Sequence, residues 1–173
     1  MIGFTIEKAL GKWYKYLVLI LVGGIGGNIF SATIGAYNVS VGASTSLFAI
    51  IGADVVWFYR YWDVLGPMKF QHAIFLGIMI FFAFLNGFLA PNSGIDNWGH
   101  LGGLIYGLML TPLLLPSIQI DGQSQELQMF QAVKERRIKI AAIGSLILVS
   151  VVFLIALFAR PLPYCTGGLC DIC

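Results

Sequence analysis

Charge is scarce in this sequence. Only 10% of its 173 residues are Asp, Glu, Lys or Arg, against 58% hydrophobic, a balance too apolar for an ordinary water-soluble domain. The formal net charge is only +2, and the basic residues are not interleaved with aromatics along a groove, so nothing points to nucleic acid as a partner. A phosphate-binding loop is missing. The run Gly23-Gly24-Ile25-Gly26-Gly27 sits inside an apolar segment, where close helix packing explains glycine better than a nucleotide does. No cofactor and no metal are expected. Cysteine is confined to the last residues, Cys165, Cys170 and Cys173. Glu7 and Lys8 interrupt the first ten residues, and the first long apolar run begins only at Tyr16, so no cleavable signal peptide is expected.

What is present is membrane-spanning sequence. From Tyr16 to Ala53 no residue is charged, longer than the roughly 20 apolar residues that one crossing needs. Turn-forming residues between Gly35 and Gly42 divide this run. Two helices are therefore predicted, at about 14–35 and 44–61. The second ends in the aromatic and charged cluster Trp57-Phe58-Tyr59-Arg60-Tyr61-Trp62-Asp63, of the kind found at headgroup level, and Gly66-Pro67 stops it. A third helix is predicted at about 70–89 and a fourth at about 97–115, bent in its last turn by Pro112. Residues 117–137 are polar and read as a water-exposed connection whose second half has amphipathic helical character. A fifth helix follows at about 138–159. The expected organisation is a core over 1–116, a cytosolic connection over 117–137, an additional transmembrane helix over 138–160 and a Cys-rich outer tail over 161–173. The fold class is all-α, a polytopic helix bundle with about five full spans and a partial helix at the N-terminus, and the lipid bilayer is its first partner.

Orientation follows from lysine and arginine. With alternating spans, Lys8, Lys12, Lys15, Arg60, Lys69, Lys134, Arg136, Arg137 and Lys139 share one side, leaving only Arg160 of the ten basic residues opposite. The basic side is cytoplasmic by the positive-inside rule. The three cysteines then lie on the luminal or exterior side, where disulfides persist. Structural disulfide bonding is the favoured reading of this odd set, with zinc or an acyl chain as alternatives.

Two short stretches carry chemistry. Gly42-Ala43-Ser44 opens the second predicted helix and Trp98-Gly99-His100 opens the fourth. These helices run the same way from the outer face, so Ser44 and His100 fall within about one helical turn of the same depth. An imidazole within hydrogen-bond reach is the usual base for a serine nucleophile. Unpaired N–H groups at a helix start stabilise the oxyanion that forms when serine attacks a carbonyl. Gly42 and Ala43 leave that approach uncrowded, and Phe48, four residues on, shares the face of Ser44 and is placed to stack on His100. Gly99, Gly103 and Gly107 form a bare stripe that permits close helix approach. Each piece has a plainer reading. Ser44 can simply cap its helix, His100 can hydrogen-bond a neighbouring helix, and glycine stripes more often mean packing than chemistry. Asp96 and Asn97 read as caps, and Asp54 as a member of a structural pair. Asn38-Val39-Ser40 fits a glycosylation acceptor but lies too near the membrane to be modified.

At these residues the chain resembles the rhomboid family of intramembrane serine proteases. Gly42-Ala43-Ser44 matches the family's nucleophile turn, and His100, Gly103 and Gly107 match its histidine helix, with glycines three and seven residues after the histidine. Gly26-Gly27-Asn28-Ile29-Phe30-Ser31-Ala32, Leu47-Phe48-Ala49-Ile50-Ile51-Gly52-Ala53 and Ile95-Asp96-Asn97-Trp98 extend the match over roughly residues 3–112. The family usually has glycine after the nucleophile, where this chain has Thr45. The resemblance implies a Ser-His dyad without an aspartate, a site open to water on the outer side, and single-pass transmembrane protein substrates cut near their outer ends. It also implies that residues 3–11 correspond to the end of the family's second helix. The first helix and most of the second, which carries an oxyanion-binding histidine and asparagine, are then expected to be absent from this chain. The alternative function is that of a catalytically inactive rhomboid-like protein that binds membrane helices in trafficking or degradation.

Overall fold

A computed structural model describes residues 2–35, 43–63, 65–89, 95–116 and 125–159. Among them all regular structure is helical: α1 Ile2–Leu10, α2 Trp13–Ile34, α3 Ser44–Arg60, α4 Met68–Leu89, α5 Asn97–Leu114 and α6 Gln125–Phe158. At nine residues, α1 is about 13 Å long and cannot cross a bilayer. Gly11, at φ 71°, ends it, and its N–H donates to Lys8 O at 3.1 Å. Gly66, at φ 55°, turns the chain between α3 and α4. Only glycine takes such a conformation without strain.

α2, α4 and α6 are each long and apolar enough to cross a membrane. α3 and α5, with 17 and 18 residues, complete the five predicted crossings, but they are shorter and richer in small or polar residues. That composition suits their position. They are the most enclosed helices, burying among others Thr45, Ala49, Gly52, Ala53 and Asp54 on α3 and Gly99, Gly102, Gly103 and Gly107 on α5. The lipid-facing helices α4 and α6 carry exposed Phe70, Phe81, Phe88, Ile147, Leu148 and Ile155 instead.

Small residues hold the centre together, because lipid offers apolar side chains no incentive to leave it and association depends on close packing and polar contacts. A Cβ at Gly103 would lie 2.1 Å from Thr45 O, one at Gly107 2.2 Å from Ala49 O, and one at Gly52 2.5 Å from Leu104 O. α3 and α5 thus pack backbone to backbone. α2 joins them through the same device: Gly27 faces Thr45 and Gly103, and Gly26 lies under the Tyr106 ring.

α6 begins at Gln125, well before the predicted 138. Residues 125–137 lack Gly and Pro and are dominated by strong helix formers, so the second half of the polar connection and the apolar run form one helix. α6 lies against α2 and α5 through the Tyr106–Ser150 hydroxyl pair at 2.9 Å and the Phe30–Phe153 rings at 4.6 Å.

The bundle has two distinct ends. Lys15 Nζ donates to Leu114 O at 2.7 Å and Arg60 donates to Pro116 O at 3.0 Å while pairing with Glu135. The start of α2, the ends of α3 and α5 and the Glu135 level of α6 therefore gather at one basic end. Ser31 Oγ donates to Asp96 Oδ1 at 2.7 Å, bringing the end of α2 to the start of α5 at the other.

The glycine contacts make a matched prediction. Gly107→Ala, which drives a Cβ into Ala49 O, lowers stability by about 1–3 kcal/mol. Gly77→Ala, where a Cβ meets nothing within 4 Å, is neutral or stabilising by up to about 1 kcal/mol. Thermal unfolding of both variants in the same detergent checks the pair, and equal losses would contradict it.

Candidate active site

Ser44 is the first residue of α3, and Ala43 occupies the cap position with no side-chain cap hydrogen bond. The Ala43 carbonyl instead accepts from Leu47 N–H at 3.2 Å. The capping reading of Ser44 is therefore not what the helix start shows: the residue is half-buried and lies one position inside the cap. Thr45, 4% exposed, points the other way. Its methyl faces Gly27 of α2 and its hydroxyl faces Gly99 of α5, which explains how a side chain larger than hydrogen is accommodated there.

α5 starts under firmer control. Asp96 caps it, accepting the Gly99 N–H at 2.8 Å as well as the Ser31 hydroxyl, and its carbonyl accepts the His100 N–H at 3.0 Å. The cap reading thus holds for Asp96. It does not hold for Asn97, which lies inside the helix, with a buried Oδ1 that has no hydrogen-bond partner among the described residues. A Cβ at Gly87 would fall 1.9 Å from that oxygen, so the Asn97 carboxamide lies directly on the backbone of α4.

His100 is 7% exposed. Its ring stacks on Phe48 at 4.2 Å between centroids and 13° between planes. Phe84 of α4 closes the cluster edge-on, 6.4 Å from His100 and 5.6 Å from Phe48. Since Ser44 and Phe48 share a face of α3 one turn apart, the stack aligns the first turn of α3 with the first turn of α5. His100 Nδ1 is buried without a hydrogen-bond partner among the described residues. Gly99 and Gly103 both face Thr45, and Gly107 faces Ala49. Gly42 lies outside the described residues, as do Asn38, Ser40, Arg160, Cys165, Cys170 and Cys173.

Sequence reading passed over Phe84 and the inward role of Asn97. Both signals are faint. Phe84 is one of 13 phenylalanines, and an Asn before a helix usually reads as a cap. No group of three or more metal-ligating side chains occurs among the described residues.

Asp54 belongs elsewhere. Fully buried at 0% exposure, it lies ten residues, about 15 Å, along α3 from Ser44. Its Oδ2 is 2.9 Å from His72 Nε2 on α4, and the His72 ring is flanked by Phe58 at 5.1 Å and Trp57 at 6.0 Å. This is the structural pairing expected of an acid inside a span.

A membrane-embedded helical bundle whose serine-bearing and histidine-bearing helix starts meet over stacked aromatic rings defines a narrow class. Residues 1–117 match the family model described as Rhomboid domain. The chain belongs to the rhomboid family. It is 34% identical to Rhomboid-like protease 5 of Toxoplasma gondii over 61% of its own length and 12% of that protein's. It is 32% identical to Inactive rhomboid protein 1 of Rattus norvegicus over 65% of its length and 13% of the relative's. It is also 29% identical to RHOMBOID-like protein 4 of Arabidopsis thaliana over 66% of its length and 28% of the relative's. The chain thus spans between about an eighth and just over a quarter of the length of these relatives.

The Asp54–His72 pair generates a prediction of its own. His72→Leu, which leaves Asp54 buried without its partner, costs roughly 3 kcal/mol. The Asp54→Leu/His72→Leu double variant recovers most of that loss, because no buried acid remains. Thermal midpoints of the two variants against wild type decide it. A double variant less stable than His72→Leu alone would refute the pairing energetics.

Proposed function

We propose that this chain is an intramembrane serine endopeptidase that cleaves transmembrane helices near their luminal or extracellular ends through a Ser44–His100 dyad. The observation that carries the reading is the Phe48–His100 stack, which holds the imidazole over the face of α3 that Ser44 opens. His100 Nε2 takes the Ser44 hydroxyl proton as Oγ bonds to the scissile carbonyl carbon, and the carbonyl oxygen becomes an oxyanion. The N–H groups at the α3 start, which the cap residue Ala43 does not bind through its side chain, are the donors offered to it, the Ser44 N–H among them. Ala43, with only a methyl side chain, leaves room for the substrate backbone. The imidazolium returns its proton to the leaving nitrogen as the C–N bond breaks, and a water activated by the same base hydrolyses the acyl-enzyme.

The orientation assigned to this site follows from charge. Lys15, Arg60, Glu135 and the ends of α3 and α5 gather at one end of the bundle, opposite the starts of α3 and α5. With the basic end cytoplasmic, Ser44, His100 and the C-terminal tail face the lumen or exterior. The substrates are single-pass membrane proteins, whose helices unwind where small residues weaken them. The relatives named as inactive rhomboid proteins favour a second reading, in which the same bundle binds membrane helices without cutting them.

Labelling separates the two readings. The chain in membranes reacts with a serine-directed fluorophosphonate and cleaves a reporter transmembrane helix, and Ser44→Ala abolishes both activities. Cleavage retained in Ser44→Ala would sink the protease reading. A client that co-purifies equally with wild type and Ser44→Ala, without cleavage by either, would establish the second.

A further inference from the structure

Five of the chain's lysines and arginines are engaged within the bundle. Lys8 lies over Phe4 at 4.2 Å, Lys12 over Tyr14 at 5.7 Å and Lys69 over Trp62 at 4.8 Å. Lys15 and Arg60 hold the carbonyls of Leu114 and Pro116, and Arg60 also pairs with Glu135. A run on α6 stands apart from these. Lys134, Arg136, Arg137 and Lys139 put four cations within six residues, and none of them has a partner among the described residues. Glu135, the single acid between Gln131 and Phe158, is turned inward to Arg60.

Helix period decides which way these cations face. Glu135, Ala142 and Leu146 follow at steps of seven and four and so share one side of α6; Ala142 is buried and Leu146 packs on the core. Arg137, two residues on from Glu135, lies about 200° around the helix from it. It shares the outward side with Ile140, Gly144 and Leu148, all exposed, and Lys134 and Arg136 are exposed on either side of it. Gly144 is a low point in this ridge, where a Cβ would meet nothing within 4 Å. From Ile140 to Phe158 no residue is charged, a length of about 28 Å, close to the thickness of the hydrocarbon core. That length sets the cations at the membrane surface, with an apolar ridge running from them into the hydrocarbon.

We propose that this outward face of α6 is a binding site for an acidic phospholipid: Lys134, Arg136 and Arg137 hold the anionic headgroup, and an acyl chain lies along Ile140, Gly144 and Leu148. Both halves of the ligand meet their complement, an anion among cations that lack partners and a hydrocarbon chain on an apolar ridge. A second copy of this chain suits the face less well, because parallel pairing through it sets Arg137 against the partner's Arg137 and like charges repel. The lipid also completes the seating of α6. That helix meets the bundle on one side, through Arg60–Glu135, Tyr106–Ser150 and Phe30–Phe153, and the phospholipid holds the opposite side at a fixed depth. The site lies at the other end of the bundle from Ser44 and His100 and does not depend on whether the chain cuts substrate.

Lipid competition tests it. The delipidated full chain in neutral detergent is offered equal concentrations of phosphatidylserine and phosphatidylcholine with the same acyl chains, and native mass spectrometry reads which is bound. Wild type prefers phosphatidylserine. Each cation near an anionic headgroup is worth about fivefold in binding, so Arg137→Gln weakens phosphatidylserine about fivefold and Lys134→Gln/Arg136→Gln/Arg137→Gln about 100-fold, with phosphatidylcholine changed by less than about threefold. The triple variant unfolds at the wild-type midpoint in lipid-free detergent, since the groups removed have no partner in the chain, so its loss of lipid is not a loss of fold. Lys8→Gln/Lys12→Gln/Lys69→Gln removes the same charge from cations that lie over rings and keeps the preference to within about threefold. Equal losses in the two triple variants would show that net charge rather than this face attracts the lipid, and would overturn the proposal. A wild type without preference overturns it too. So does displacement of phosphatidylserine by glycerophosphoserine, the headgroup without its chains, which would assign the cations to a soluble phosphate. A wild-type dimer that excludes phosphatidylserine would put a second copy on this face and overturn it as well.

Discussion

The approach of α3 to α5 is the constraint on which everything else rests. Side-chain carbon is absent at Gly52, Gly103 and Gly107 because the opposing helix's main-chain atoms already occupy that space. Interlocked contacts of this kind fix both the distance and the register of two helices, since a slip of one residue would turn larger side chains into the seam. Register is what makes the site. With Gly103 against Thr45, His100 falls one turn nearer the helix start and reaches Phe48. The close contacts at Gly52, Gly103 and Gly107 involve no charged side chain, and Asp96 ties the start of α5 to Ser31 of α2.

Charge is concentrated instead where it fastens the opposite end. Lys15 and Arg60 satisfy carbonyl oxygens at the end of α5 and just beyond it, groups that a helix leaves unpaired at its C-terminus and whose partial negative charge favours cations. The Arg60–Glu135 pair adds α6 to this fastening. The bundle is therefore pinned by ions at its basic end and by small-residue packing and one capping aspartate at the other.

Much of this was legible in the sequence, for identifiable reasons. Helix limits followed from turn residues and from charge-free runs, and the predicted limits of α2, α3, α4 and α5 lie within two residues of those observed. The glycine run near residue 25 was correctly read as packing, because a nucleotide loop has no use for an apolar surround. The start of α6 was misplaced. Polarity marks where a helix leaves the membrane, and Gln, Glu, Lys and Arg continue a helix in water as readily as apolar residues do in lipid. Asn97 was misread because capping is local: the sequence shows two capping residues in succession, and only the three-dimensional position of Ser31 beside Asp96 decides which of them caps. Phe84 and His72 were passed over, since their partners Phe48, His100 and Asp54 stand on other helices and no spacing rule links them.

α4 ties these strands together. Its buried residues are few, Leu76 and Gly87, and its Gly77 faces no neighbour, so it lacks the small-residue seam that locks α3 to α5. A helix in lipid without such a seam needs polar or aromatic contacts to define its place. α4 has them at two levels: His72 on Asp54 towards one end, and Gly87 and Phe84 on Asn97 and His100 towards the other. The second level includes the histidine ring itself. The position of α4 and the setting of His100 are therefore one structural variable, so a change that shifts α4 at Gly87 or Phe84 reaches His100 without touching α3 or the glycine seam.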